Sequence, residues 1–247
     1  MQIITKGILL TGLLALGITA ILPGTVWAEE EKPTAELAMG AYSQYVWRGF
    51  AFSDKSVVLQ PSLTVSYQGF AANLWGNLDT DEVGLDTANW NETDMTVSYD
   101  GAAGKIGYGV GWIYYNVDGA ADTQELYATI SVDTLLSPTL TYYTDIAHLP
   151  GSYVTLGISH SLPVAEGLAL DLGAQVGYLD DEADYSELHD GLLSASMTFA
   201  LNDYVSLTPE LYYSLALSSE AETAIQAVSY DGDDSHVYGG VSASLAF

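Results

Sequence analysis

Apolar and polar residues alternate strictly along residues 56–78. The odd positions read Val57, Leu59, Pro61, Leu63, Val65 and Tyr67, and the even ones between them Val58, Gln60, Ser62, Thr64 and Ser66. A short Gln68-Gly69 turn follows. Then Phe70, Ala72, Leu74, Gly76 and Leu78 alternate with Ala71, Asn73, Trp75, Asn77 and Asp79. Period-two alternation marks a strand with two unlike faces, and two such runs around a tight turn predict an antiparallel hairpin. Each strand has about ten residues, enough to cross a bilayer when tilted. The unit repeats along the chain. Strands are expected at about 37–50, 57–67, 70–79, 93–100, 105–115, 125–132, 139–146, 153–160, 168–178, 193–201, 205–215 and 236–247. Connections after even strands are short. Those after odd strands tend to be longer, and three of them are strongly acidic. Bacterial outer-membrane barrels combine short turns at one end, longer loops at the other and an even strand number. The pattern therefore predicts an all-β chain, a 12-stranded antiparallel up-and-down transmembrane β-barrel over residues 35–247.

Two features of the apolar face bear on this reading. None of its positions is Asp, Glu, Lys or Arg, although 15% of the chain is charged. A basic residue facing lipid at mid-bilayer costs about 2–4 kcal/mol. Its aromatic residues also fall into two bands. Tyr45, Trp47, Trp112, Tyr114, Tyr142, Tyr178 and Tyr213 are expected toward the loop end, and Tyr67, Phe70, Tyr99, Phe199 and Phe247 toward the turn end. Such girdles place ring bodies in lipid and polar tips among headgroups. Pro61 and Pro209 lie inside expected strands and cannot donate to a ladder, so local bulges are expected there.

Composition adds the compartment. Lys6, the apolar run Gly7 to Leu22 and the small-residue pattern Val26-Trp27-Ala28 read as a signal peptide over residues 1–28, followed by a short periplasmic leader at 29–34. No other run is long enough for a transmembrane helix. The chain has no cysteine and relies on no disulfide. Its net charge is −27, which argues against a nucleic-acid partner. With 49% hydrophobic residues, disorder is not expected either. The localisation expected is the outer membrane of a Gram-negative cell, in contact with lipid and lipopolysaccharide.

The stretch Tyr45-Val46-Trp47-Arg48-Gly49, with Pro61, Tyr67, Gly69-Phe70 and Trp75-Gly76-Asn77, resembles the TorF family of porin-like outer-membrane proteins. The resemblance covers roughly the first third of the chain after the signal. It implies a barrel and points to a pore, and it brings no substrate with it. Phe50-Ala51-Phe52 departs from the more polar residues expected after the Arg-Gly pair. The terminal Phe247 resembles the signal read by the barrel-assembly machinery, which is the partner that likeness implies.

The polar face must point into the barrel. Its charged members are Glu36, Asp79, Asp94, Asp100, Glu125, Asp145, Asp171 and Glu210, against Arg48 and Lys105 alone. In a water-filled lumen this excess favours cations. In a filled lumen the same groups would pair with tyrosines and hydroxyls. Selectivity would rest on Arg48, Asp94, Lys105, Glu125, Asp145, Asp171 and Glu210. Arg48 would either tune a constriction or brace the wall through a carboxylate. Trp75, Tyr115, Tyr127, Tyr143, Tyr153, Tyr212 and Tyr238 point inward near the loop end and form an aromatic vestibule, or simply fill the lumen. Gly107, Gly109, Gly111, Gly173 and Gly177 either widen a water path or make room for those rings. The acidic loops match no EF-hand spacing, and no cofactor or metal site is expected. The expected function is passive, weakly cation-preferring diffusion of small hydrophilic solutes. The rival is a non-conducting barrel acting through its acidic loops. An enzyme is not expected, and a rim hydrolase using His148 or His189 is the remote third reading.

Overall fold

The computed structural model describes residues 32–247, so the expected signal peptide and its cleavage site lie outside the described residues. Fifteen strands and one helix follow in order. The strands are β1 (Thr34–Tyr42), β2 (Val46–Trp47), β3 (Phe50–Ala51), β4 (Val58–Tyr67), β5 (Phe70–Asp79), β6 (Asn89–Ala103), β7 (Ile106–Val117), β8 (Thr123–Val132), β9 (Thr139–Asp145), β10 (Ser152–Ala165), β11 (Leu168–Asp180), β12 (Ser186–Met197), β13 (Phe199–Ala200), β14 (Val205–Ala216) and β15 (Ser235–Ala246). The helix α1 (Ser219–Val228) lies between the last two. Apart from β2, β3 and β13, each strand is a stave paired antiparallel with its neighbour, and β13 continues β12 beyond Thr198. β1 closes on β15 with Leu37 opposite Leu245 and Ala41 opposite Val241. The result is the expected closed twelve-stranded antiparallel barrel. Closure leaves no sheet edge, the condition for a sheet to exist in lipid.

The packing inverts that of a soluble protein. Gln60, Asn73, Thr129, Thr141, Thr155, Gln175 and Ser214 are buried inside, while Leu74, Val110, Leu126, Leu156, Leu193 and Leu211 are each about half exposed outside. β7 shows the alternation directly, with exposed Ile106, Tyr108 and Val110 between buried Gly107 and Gly109. An apolar belt of this extent is stable only where lipid covers it. Val110 lies between Tyr108 and Trp112 on that face. Val110→Arg is expected to destabilise the folded barrel in lipid by about 2–4 kcal/mol, read from urea unfolding. Leu85→Arg in the exposed loop 80–88 should change it by less than about 0.5 kcal/mol.

Three details differ from the sequence reading. The first strand ends at Tyr42 rather than Phe50, and residues 43–57 turn inward as a loop carrying the β2–β3 hairpin. Tyr45 and Trp47 therefore leave the lipid-facing girdle and lie within the barrel mouth. Neither proline causes a bulge. The β4–β5 ladder skips Gln60 and Pro61 but keeps one register, Leu59 with Leu78 and Ser62 with Trp75. The β14 ladder likewise pairs Glu210 with Ser196 and Leu207 with Phe199 without slipping past Pro209. A missing donor costs one ladder bond and needs no extra residue. The register shifts lie elsewhere, at Asn77/Leu78, Val176/Tyr178 and Pro163/Ala165.

Candidate functional site: the inward hairpin and the vestibule above it

The hairpin is the local structure that Val-Trp-Arg-Gly-Phe-Ala encodes. Val46 pairs with Ala51 and Trp47 with Phe50, leaving Arg48 and Gly49 as a two-residue turn. Their φ values are 49° and 85°, the left-handed pair that a type I′ hairpin requires. Gln68 and Gly69 use the same geometry at the other end of the barrel, with φ of 50° and 84°. Gly49 is also required by packing, since a Cβ there would meet Ile225 Cδ1 at 2.9 Å. The apolar Phe50-Ala51-Phe52 is explained by the hairpin's surroundings. Ala51 and Val46 are buried with Leu192, Tyr212 and Tyr238, and Phe52 packs against Tyr45, Trp47 and Tyr230.

Several bonds hold the hairpin in the lumen. The Arg48 guanidinium donates two hydrogen bonds to the Glu125 carboxylate, at 2.8 and 2.6 Å, with both side chains about nine-tenths buried. It lies over the rings of Trp47, Tyr153 and Tyr143 at 4.3, 4.4 and 5.0 Å. His189 Nε2 donates to the Arg48 carbonyl at 3.0 Å. From above, Ala51 N donates to Ser229 Oγ at 3.1 Å, and Tyr230 N donates to the Ala51 carbonyl at 2.8 Å. α1 begins at Ser218, whose hydroxyl accepts from Ala221 N in the manner of an N-cap. It presses its fully buried Ala221 and Ile225 toward this segment. Gln44 donates to Asp231 at 2.6 Å, which ties the hairpin's base to the same loop.

The expected lumen residues fall into distinct places. Glu125 is the hairpin's anchor, and Tyr115 donates to it at 2.9 Å. Arg48 stands on the hairpin rather than on a strand of the wall. Lys105 lies exposed in the turn between β6 and β7, not in the lumen, because β7 begins one residue later. Asp94 lies on β6 opposite Trp75 and Tyr115. Asp145, at the end of β9, accepts from Thr123 and caps the next loop through Ala147 N at 2.7 Å. Asp171 accepts from Ser161, and Glu210 accepts from Tyr212, from Ser242 at 2.7 Å and from Tyr42 at 3.2 Å. Most of the inward rings close on or below the hairpin, and of those expected only Tyr115 lines the vestibule above it. Trp75 meets Tyr45, Tyr115 meets Trp47, and Tyr143 lies between Tyr127 and Tyr153. Tyr212 stacks on Tyr238 at 5.0 Å. Two of the glycines make room for such rings, Gly111 beside the Tyr127 ring and Gly177 beside the Tyr153 hydroxyl, whereas Gly109 faces Asp100 and Gly173 faces Ser194.

Above the hairpin tip opens a vestibule of about 670 Å³, and below it a cavity of about 80 Å³. Trp47, Arg48 and Tyr115 line both, so the hairpin divides the lumen. The vestibule wall carries Glu82, Glu92, Asp118, Glu125, Asp145, Asp180 and Asp181 against Arg48 alone, and its rings are Tyr45, Trp47, Phe52, Tyr115 and Tyr230. Backbone amides of Ala183 and Tyr185 hold the Asp181 carboxyl below the usual carboxylate range. Glu92 and Asp190 were not anticipated, nor was a place for His189 inside the barrel rather than on its rim, and bulges are part of the reason. At Asn77/Leu78 the partner strand gains a residue, so Trp90 faces out while Asn91 and Glu92 both serve the interior. At Val176/Tyr178 the parity of β12 flips, so Leu188 is exposed and His189 is buried beside Asp190, which keeps the inward parity of Leu192. Bulges near functional sites commonly re-aim side chains in this way. Glu92 and Asp190 each had a signal, the inward parity of Asp94 and of Ser194.

A lipid-girdled, twelve-stranded barrel with an inward-folded loop belongs to the porin class of outer-membrane folds. No family model matches the chain, and no curated protein matches it. Among solved structures, the NanC porin superposes with a TM-score of 0.55 at 11% identity, over 85% of this chain and 98% of that one. OmpT from the outer membrane of Vibrio cholerae matches at 9% identity over 90% and 99%, with a TM-score of 0.44. An anion-selective porin from Comamonas acidovorans matches at 10% over 88% and 99%, with a TM-score of 0.38. At these identities the likeness is one of fold, and the first superposition carries it.

Proposed function

We propose that the protein is an outer-membrane channel for passive diffusion of small hydrophilic solutes, with a weak preference for cations. The observation that carries this is the vestibule: a cavity of about 670 Å³ at the loop end of a porin-fold barrel, with seven carboxylates on its wall against one guanidinium already paired to Glu125. Rings of carboxylates lower the barrier for cations and raise it for anions. The Arg48–Gly49 tip is the constriction in this reading. Membership of the TorF family is part of the same proposal, since the residues that resemble it build the hairpin. No catalysis is assigned to the histidines. His189 has Tyr185 on one ring nitrogen and the Arg48 carbonyl on the other, and His148 bonds the Asp122 carbonyl.

Folded protein in a planar bilayer under a potassium chloride gradient tests this. Discrete steps with a cation-selective reversal potential are expected. Salt near 0.1 M is needed, because screening at 1 M shortens the reach of these charges to about 3 Å. Glu92→Gln with Asp145→Asn should move the reversal potential toward zero more than Asp171→Asn with Glu210→Gln, whose carboxylates lie outside the vestibule and accept hydrogen bonds from Ser161, Tyr212 and Ser242. An absence of steps from protein shown to be folded would overturn the channel reading. It would favour the second one, a barrel sealed by its hairpin, which the small cavity of about 80 Å³ beneath the tip supports.

A further inference from the structure

We propose that the vestibule is a binding site for organic cations, amines or quaternary ammonium compounds that carry an apolar body. This deepens the cation-preferring reading and rests on it. A porin mouth selective for inorganic ions alone needs only charge and water, and this one adds a cluster of aromatic rings to its carboxylates. Its lining includes the rings of Tyr45, Trp47, Phe52, Tyr115 and Tyr230, with Leu149 adding an aliphatic surface. Aromatic faces attract cations, and do so best where water is excluded. The protein makes the same contact itself, with the Arg48 guanidinium 4.3 Å from the Trp47 ring centre.

The charge around these rings fits a cationic guest. Arg48 is neutralised by two bonds to Glu125 and repels little. The remaining acids of the wall have no basic partner among the described residues. Glu82 Oε2 is buried on this wall and has no hydrogen-bond partner. Neutral sugars would instead need paired donors and acceptors over a ring, and the wall offers mostly acceptors. An anion would meet seven carboxylates. At about 670 Å³ the cavity lies within the range of pockets that enclose small organic ligands.

Calorimetric titration of the folded protein in non-ionic detergent tests this with three probes sharing one ring, benzyltrimethylammonium, benzyl alcohol and benzoate, and with glucose as a neutral sugar. The cation is expected to bind roughly tenfold tighter than the alcohol, the scale of a well-formed cation–aromatic contact plus its counter-charge, and benzoate not at all. Tyr230→Leu should weaken the cation several-fold. Glu92→Gln with Asp145→Asn should weaken the cation but not the alcohol. Trp47→Leu also touches the hairpin, so Tyr230→Leu, which keeps the backbone bond to Ala51, is the cleaner variant. Equal binding of cation and alcohol, or tighter binding of glucose than of either, would overturn the proposal. The assay needs no current. Conductance steps without cation binding would remove the site and keep the channel; binding without steps would do the reverse.

Discussion

Replacing residues 46–51 by Asn-Gly is expected to raise single-channel conductance several-fold while leaving the barrel folded. The excision is geometrically mild. Phe52 N donates to the Tyr45 carbonyl at 2.8 Å, so the two ends already face each other as a hairpin pair. Asn-Gly is the two-residue turn that such a pair prefers. What is removed is the wall between the two cavities: Trp47, Arg48 and Gly49, with the apolar pair Val46 and Ala51 behind them. No ladder bond between staves is lost, because the staves pair only with one another. The costs are local. Ile225 and Ala221 of α1 lose their cover, and Glu125 loses its counter-ion. The helix is expected to loosen, and proteolysis within residues 217–234 should rise. Conductance should rise with it, since the cavity below the tip joins the vestibule above. A folded barrel whose conductance is unchanged would show that the constriction lies elsewhere in the lumen.

Much of this fold was legible in the sequence because lipid imposes a strict period. Every stave must alternate, since a charged residue facing outward at mid-bilayer costs kcal/mol and a backbone edge costs more. Runs such as Leu168 to Tyr178 therefore declare both strand and orientation. The hairpin was hidden by the same rule. Tyr45, Val46 and Trp47 continue the alternation of β1, and nothing local distinguishes a stave that crosses lipid from a loop strand that folds inward. The distinguishing residues are Arg48 and Gly49, whose turn is held inside the barrel by Glu125, 77 positions away, which receives the guanidinium. His189 was hidden for another reason. A bulge adds one residue to a strand, and parity counted from Leu193 is wrong beyond it. The vestibule rings were hidden for like reasons, since Tyr45 and Trp47 come from the misassigned strand, Phe52 from the residues just beyond it and Tyr230 from a loop that carries no period at all.

Arg48→Asn is expected to lower stability by about 3 kcal/mol, the range for breaking one side of a buried ion pair, although the change improves the turn. Arg48 occupies the left-handed region at φ 49°, where a non-glycine residue other than Asn or Asp carries a strain of about 1–2 kcal/mol. If the turn alone mattered, Asn would stabilise the hairpin. The opposite is expected because Glu125 would stay buried with the Tyr115 hydroxyl as its remaining partner, next to Asp145 across the β8–β9 ladder. Glu125→Gln should also destabilise, by leaving the guanidinium without its carboxylate. The double variant should lose less than the sum, and that difference measures the pair itself. Arg48→Lys should fall between the two. An ammonium keeps the charge but cannot make the forked contact or stack flat between Trp47 and Tyr153. Urea unfolding in lipid vesicles reads all four, and conductance provides a second axis. A latch predicts that each loss of stability is matched by a larger or noisier current, in the order Arg48→Lys, then Arg48→Asn. Stability falling while current stays fixed would make Arg48 a brace for the wall and free the hairpin from any part in controlling passage.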